Sequence, residues 1–197
     1  MKKTWIIIGV IVLIIFVTYG WIKGQYNSMV NMQEGVTAQW QQVENVYQSR
    51  ADKTKNLLEI VKGAASFESK TLTDVTEARA SATSIRLDAD DLTPEKLEQF
   101  EAAQARFGQS IGRLLAVAEN YPQLQAVGAF RDFQAQYEGM ENRIAVERKK
   151  FNETAQQYNT YIRRFPNNLF AGFFGFEKKP YFEAQEGTER APDISFE

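Results

Sequence analysis

The chain has 197 residues, with 23 basic and 25 acidic side chains, a formal net charge of −2, and neither histidine nor cysteine. This near-neutral balance, without a basic arm or an acidic tail, argues against nucleic acid as a partner. The missing histidine and cysteine remove the usual catalytic triads, disulfides, lipid attachment at cysteine and almost every zinc, copper or haem site, so no cofactor or metal is expected.

Residues 1–3 form a short flank. From Thr4 to Ile22 the chain carries no charge. About nineteen helical residues reach roughly 28 Å, close to the hydrocarbon thickness that one spanning helix must cross. A cleavable signal peptide would have a shorter apolar core and a small-x-small cleavage site, for which Thr18-Tyr19-Gly20 is a poor match. Trp5, Tyr19 and Trp21 lie near the ends of the segment, where aromatic rings favour headgroups. The segment 4–22 therefore reads as a retained anchor in contact with membrane lipid. Lys2 and Lys3 on the short side outweigh Lys23 on the long side, which favours a cytoplasmic N-terminus and an extracytoplasmic domain.

The region 23–166 is one domain's worth of chain. Proline is absent between the anchor and Pro94, and the apolar spacing is helical, so long helices are expected over about 24–86, 94–120 and 123–164. Tyr26, Gln33, Trp40, Tyr47, Thr54 and Val61 step by sevens, and so do Met29, Val36, Val43, Arg50 and Leu57 three positions on. This seam begins so close to Ile22 that the membrane helix is expected to run into it. Leu72, Val75, Ala78, Ala82 and Ile85 read as the same helix continued past a bend. Acids from Leu87 to Leu92 interrupt the pattern, and Thr93-Pro94 reads as an N-cap with proline in the first turn. The next seam is Leu97, Phe100, Gln104, Phe107, Ile111, Leu114 and Ala118, ended by Tyr121-Pro122. The last helix carries Phe130, Tyr137, Ile144, Phe151, Tyr158 and Phe165, with Phe133, Met140, Glu147, Thr154 and Tyr161 on the alternate rung. Short connections between long helices predict antiparallel packing. The expected fold is all-α, a single transmembrane helix continuing into a long antiparallel up-and-down bundle with coiled-coil-like seams. Residues 167–197 read as a non-helical Phe/Gly-rich tail, disordered from Glu186, whose segment Leu169 to Phe176 packs back on the bundle.

Tyr26-Asn27-Ser28-Met29-Val30, Arg50-Ala51-Asp52 with Asn56-Leu57-Leu58 and Val61-Lys62, Phe67-Glu68, the run Val117 to Ala126, Glu141 to Arg148, and the pairs Phe151-Asn152, Tyr158-Asn159 and Phe165-Pro166 occur in one order along the chain. In this respect the sequence resembles the LemA family over nearly its whole length. Thr54-Lys55, Phe67 and Gln123 depart from the usual pattern. The resemblance implies an N-terminal anchor and an antiparallel helical bundle, and it carries no catalytic residues over. It also implies a short external N-terminus and a cytoplasmic bundle, opposite to the charge count.

Arg50 and Glu147 lie on apolar rungs and are expected to meet as a buried structural pair, with Glu119 and Glu141 as competing partners for Arg50. Asn27, Asn152 and Asn159 recur beside aromatics and read as structural amides bonding helix termini or one another across the bundle. Glu44, Glu59 and Glu68 lack metal-ligand spacing. No catalytic set is recognisable, so the expectation is a non-enzymatic, membrane-anchored scaffold in a bacterial cell membrane, forming a homo-oligomer or holding an unknown protein partner. Phe170, Phe173, Phe174 and Phe176, and an anchor face with Gly9, Gly20 and Gly24, are the candidate interaction surfaces. The alternatives are an adaptor for a membrane protease or stress response, or a carboxylate-based ligand-binding or enzymatic bundle.

Overall fold

The apolar span and the first heptad seam are one helix. In a computed structural model, which describes residues 2–63 and 68–183, α1 runs Lys2–Lys62, 61 residues without a break. At 1.5 Å per residue it is a rod roughly 90 Å long. From Trp5 to Trp21 its large apolar side chains are 40–75% exposed, and this is the single helix among the described residues long and apolar enough to cross a membrane. From Met29 onward one face turns inward: Met29, Val36, Trp40, Val43, Tyr47, Arg50, Thr54, Leu57 and Val61 are all buried. The seam starts one turn later than its first predicted member, since Tyr26 is 40% exposed.

α2 (Ser69–Ser84) corrects the expectation of one element over 24–86. The N–H of Gly63 reaches the Glu59 carbonyl at 3.4 Å, closing the last turn of α1. α2 then doubles back, with Arg79 Nε donating to the Ala51 carbonyl at 2.8 Å. A straight continuation would have left Thr71, Val75, Ala78 and Ala82 in water, whereas reversal buries them. Among the described residues the bundle thus has four long helices where the sequence suggested three.

A 3-10 turn at Ala89–Asp91 reverses the chain again, its flanking Leu87 and Leu92 buried. α3 (Pro94–Ala118) begins at the predicted cap, Thr93 Oγ1 accepting from the Lys96 N–H at 3.3 Å. Its buried residues are the whole predicted seam, Leu97, Phe100, Gln104, Phe107, Ile111, Leu114 and Ala118. One-turn α4 (Pro122–Gln125) precedes α5 (Gly128–Arg163), so the expected helix over 123–164 is interrupted at residues 126–127. Helices α1, α2, α3 and α5 run up and down, α1 packing chiefly along α5 and α2 along α3.

In α5 the predicted rungs hold at first and then drift. Phe130, Phe133, Met140, Ile144, Phe151 and Tyr158 are buried, but Glu147, Thr154 and Tyr161 lie on the flank, and Ala155 and Ile162 take their place. A helix of 3.6 residues per turn walks about 20° per heptad away from a strict seven-residue repeat. Phe165, the last predicted member, is 81% exposed because α5 has ended and the chain turns at a cis Phe165–Pro166 bond. A helical turn, α6 (Asn167–Ala171), then corrects the expectation of a wholly non-helical tail. Phe67 and the stretch from Glu186 lie outside the described residues.

Two apolar cores result. The one nearer the apolar half of α1 gathers Trp40, Val43, Leu97, Phe100, Phe151, Tyr158 and Phe182, and the distal one Leu57, Val75, Phe107, Ile111, Leu114 and Phe130.

Candidate functional site

Arg50 sits between the two cores and is 3% exposed. It does not meet Glu147. Its Nη1 donates to Glu141 Oε1 at 3.0 Å, and its Nη2 to the side-chain oxygen and the carbonyl of Gln104 at 2.7 and 2.9 Å. The guanidinium also lies 5.1 Å from the ring centres of Tyr47 and Phe107, while its Nε is buried without a partner. Gln104 Nε2 donates onward to the Ala82 carbonyl, so a single polar layer ties all four long helices. Glu141, named from sequence as a competitor, wins because residue 141 faces the level of Arg50 while Glu147 lies more than a turn nearer the apolar half of α1. Glu147 accepts from Gln39 at 2.9 Å and from Lys150, and these bonds hold its carboxyl below the usual range. Glu119 is exposed at the end of α3.

An open cleft of about 770 Å³ lies over this layer, lined among others by Glu98, Glu101, Tyr137, Glu141 and Arg148. Burial pushes Glu101 up despite its contact with Arg148, and burial and the nearby Glu141 push Tyr137 up to about 12. The two inner carboxylates are each engaged by a guanidinium, and no group of acids among the described residues could hold a metal ion. Partial burial, with Asp88 nearby, raises the Glu44 pKa. The arrangement is that of a brace.

The second constellation is a clasp on the tail. Asn159 Nδ2 donates to the Lys179 carbonyl at 2.8 Å while its Oδ1 accepts the Lys179 N–H at 2.9 Å. Seven residues earlier on α5, Asn152 makes the same two bonds, both at 2.8 Å, with the Phe182 backbone. An amide side chain used this way stands in for an edge strand, and the extended segment 177–183 needs one because an unpaired buried backbone is costly. Phe182 fills a slot against Trp40 and Phe151 with Arg148 over its face, and Lys179 Nζ donates to the Ala89 carbonyl at 2.8 Å. Burial lowers the Lys179 pKa, against the pull of Asp90 and Glu177. These amides bond the tail, not helix termini or each other as expected, and Asn27 is exposed and takes no part.

The third constellation is an aromatic collar where α1 leaves its exposed apolar half. Trp21 meets Phe170 edge-on at 5.8 Å, and Tyr26 meets Phe174 at 5.1 Å and Phe176 at 5.6 Å. Tyr161 Oη donates to Gln25 Oε1 at 2.5 Å, and Asn167 Nδ2 caps the end of α5 at the Tyr161 carbonyl. Within the segment Leu169 to Phe176, Phe170, Phe174 and Phe176 therefore pack back, as expected, while Leu169 and Phe173 do not. Of the four candidate surface rings, Phe170, Phe174 and Phe176 are held by α1, and Phe173 stands 82% exposed. Around Gly9, Gly20 and Gly24 there is open space. Phe165, Leu169 and Phe173, just before, within and just after α6, are all exposed, and no periodicity in the sequence marked them.

A profile described as "LemA family" matches residues 39–196. The chain is similar to Magnetosome protein MamQ 2 and MamQ 1 of Paramagnetospirillum magneticum, each 27% identical over 178 residues, 81% of this chain and 65% of the relative. It is likewise similar to Magnetosome protein MamQ of Magnetospirillum gryphiswaldense, 26% identical over 194 residues, 89% of this chain and 70% of the relative. The chain thus spans about two thirds of the length of these curated relatives.

Proposed function

The chain belongs to the LemA family, and on that premise we propose that it is a non-enzymatic, membrane-anchored helical scaffold that self-associates and organises protein partners at a bacterial membrane. The observation that carries this reading is the unbroken helix Lys2–Lys62. One half of it is bare apolar surface and the other half is locked in a four-helix bundle, so the geometry of the bundle is transmitted to the span without a hinge. Self-association is supported by Gly20 and Gly24, four apart on a face of α1 with nothing against them, which allows a neighbouring span to approach closely. An extracytoplasmic bundle is supported by Lys2 and Lys3 on the short side against Lys23 on the long side. The relatives are named for the magnetosome and not for a reaction, which is compatible with an organising role.

The test is the size of the detergent-solubilised full chain over a wide concentration range. A discrete oligomer that weakens when Gly20 and Gly24 are replaced by Leu is the expected result. A strictly monomeric particle throughout would remove self-association from the function.

A further inference from the structure

The turn after α5 carries large apolar side chains that nothing among the described residues covers. Phe165 is 81% exposed, Leu169 62% and Phe173 82%, and the three are spaced four residues apart. Exposure alone does not name an occupant, but two further observations do. First, Phe170 of the same turn is seated on Trp21, the last aromatic of the apolar span. Rings such as Trp21 settle at headgroup depth, so when the span is in a bilayer this turn is held at the same depth beside it. Second, the charge here is one-sided: Arg163 and Arg164 precede the turn and Lys23 follows the span, all exposed, while no acid occurs from Thr154 to Phe176 or before Glu34 on α1. Cations with aromatic and aliphatic side chains, free of carboxylates, match the boundary between anionic headgroups and acyl chains.

We propose that Phe165, Leu169 and Phe173 form an interfacial foot that inserts into the leaflet on the bundle side, flanked by Arg163 and Arg164 on anionic phosphate. The protein then touches its membrane at two points, the span and the foot. This rests on the membrane-anchored reading of α1 and does not depend on which side of the membrane the bundle occupies.

The absence of cysteine makes site-specific spin labels unambiguous. The full chain is labelled singly at Leu169→Cys, Phe173→Cys, Ile14→Cys and Glu138→Cys, then reconstituted into vesicles of phosphatidylethanolamine and phosphatidylglycerol. Collision of each label with oxygen, which favours lipid, is compared with collision with a water-soluble nickel chelate. Glu138 lies roughly 38 Å along α5 from Arg163 and serves as the aqueous reference, while Ile14 is the hydrocarbon reference. The foot predicts that Leu169 and Phe173 favour oxygen, the reverse of Glu138, at a depth of roughly 5 to 10 Å. Asn168→Cys keeps all three apolar side chains and is expected on the lipid side of Glu138 as well. Labels at 168, 169 and 173 that match Glu138 while Ile14 reports hydrocarbon would overturn the foot and leave the anchor standing. If Ile14 also matches Glu138, both fall. Protection that appears only at high protein density would assign the face to a second copy of the chain and likewise overturn the proposal.

Discussion

Replacing Arg50 with Met removes the centre of the polar layer while roughly preserving volume. Gln104 then keeps a buried side-chain oxygen without its 2.7 Å donor, a loss of about 1–3 kcal/mol. Two ring contacts at 5.1 Å contribute about 0.5–1 kcal/mol each. Against these, the buried Nε has no partner, so the native charge is already incompletely solvated and removing it recovers part of the loss. The expected destabilisation is about 3 kcal/mol. Glu141 differs sharply, because its side chain is 40% exposed and water can replace the guanidinium, so Glu141→Gln is expected to cost under about 1 kcal/mol. Denaturant unfolding of the solubilised full chain, followed by the fluorescence of buried Trp40, measures both. Equal losses, or a larger loss for Glu141→Gln, would refute the view that Arg50 is held mainly by Gln104 and the rings. An Arg50→Met variant that melts cooperatively at the wild-type midpoint would refute its burial.

Three other outcomes follow from the structure. Asn159→Ala removes both bonds to Lys179 and is expected to free the tail at a cost of about 1–3 kcal/mol; Trp40 fluorescence should change as Phe182 leaves its stacked position at 6.0 Å, and trypsin should cut after Lys178 sooner. Tyr158 is fully buried with an unpartnered hydroxyl, and burial with Glu177 nearby pushes it up to about 12, as burial and Glu141 do for Tyr137. Because these folded values lie above the unfolded value of 10, their stabilisation is complete below pH 10 and is lost as pH rises toward 12; absorbance near 295 nm should show both ionising only as pH approaches 12. Tyr158→Phe should abolish one late-ionising tyrosine and raise stability by up to about 1–2 kcal/mol, and a loss of stability would imply a partner for that hydroxyl. For orientation, a membrane-impermeant maleimide should label Glu138→Cys in intact cells, and labelling only after lysis would place the bundle in the cytoplasm.

The local patterns that sequence periodicity reports best are those that face one direction for many turns. The α3 seam from Leu97 to Ala118 was legible residue by residue, and so was the merger of span and bundle at Ile22 to Met29, since nothing there breaks a helix. The reversal after Lys62 was not, because Gly63 ends a helix without saying where the chain goes next, and helical spacing in residues 72–85 is the same whether α2 continues or doubles back. The partner of Arg50 was legible as a carboxylate on α5 but not as Glu141, since the choice turns on axial register between two helices joined by three others. Asn152 and Asn159 were visible as a repeated pattern beside aromatics. Their role depends on a tail whose extended course has no periodicity of its own.

The absence of a joint in α1 gives the molecule a mechanical property. From Lys23 to Lys62 the rod extends roughly 60 Å beyond the span, and spans commonly tilt by about 20° from the bilayer normal. A tilt of that size carries the distal end, near Val61 and Leu124, about 20 Å sideways over the membrane. With α1 across a bilayer, as proposed, bilayer thickness, which sets tilt through hydrophobic mismatch, would be converted into the position of the far end of the bundle. A change of a few degrees, too small to expose any core residue, is enough to bring the ends of neighbouring molecules together or apart.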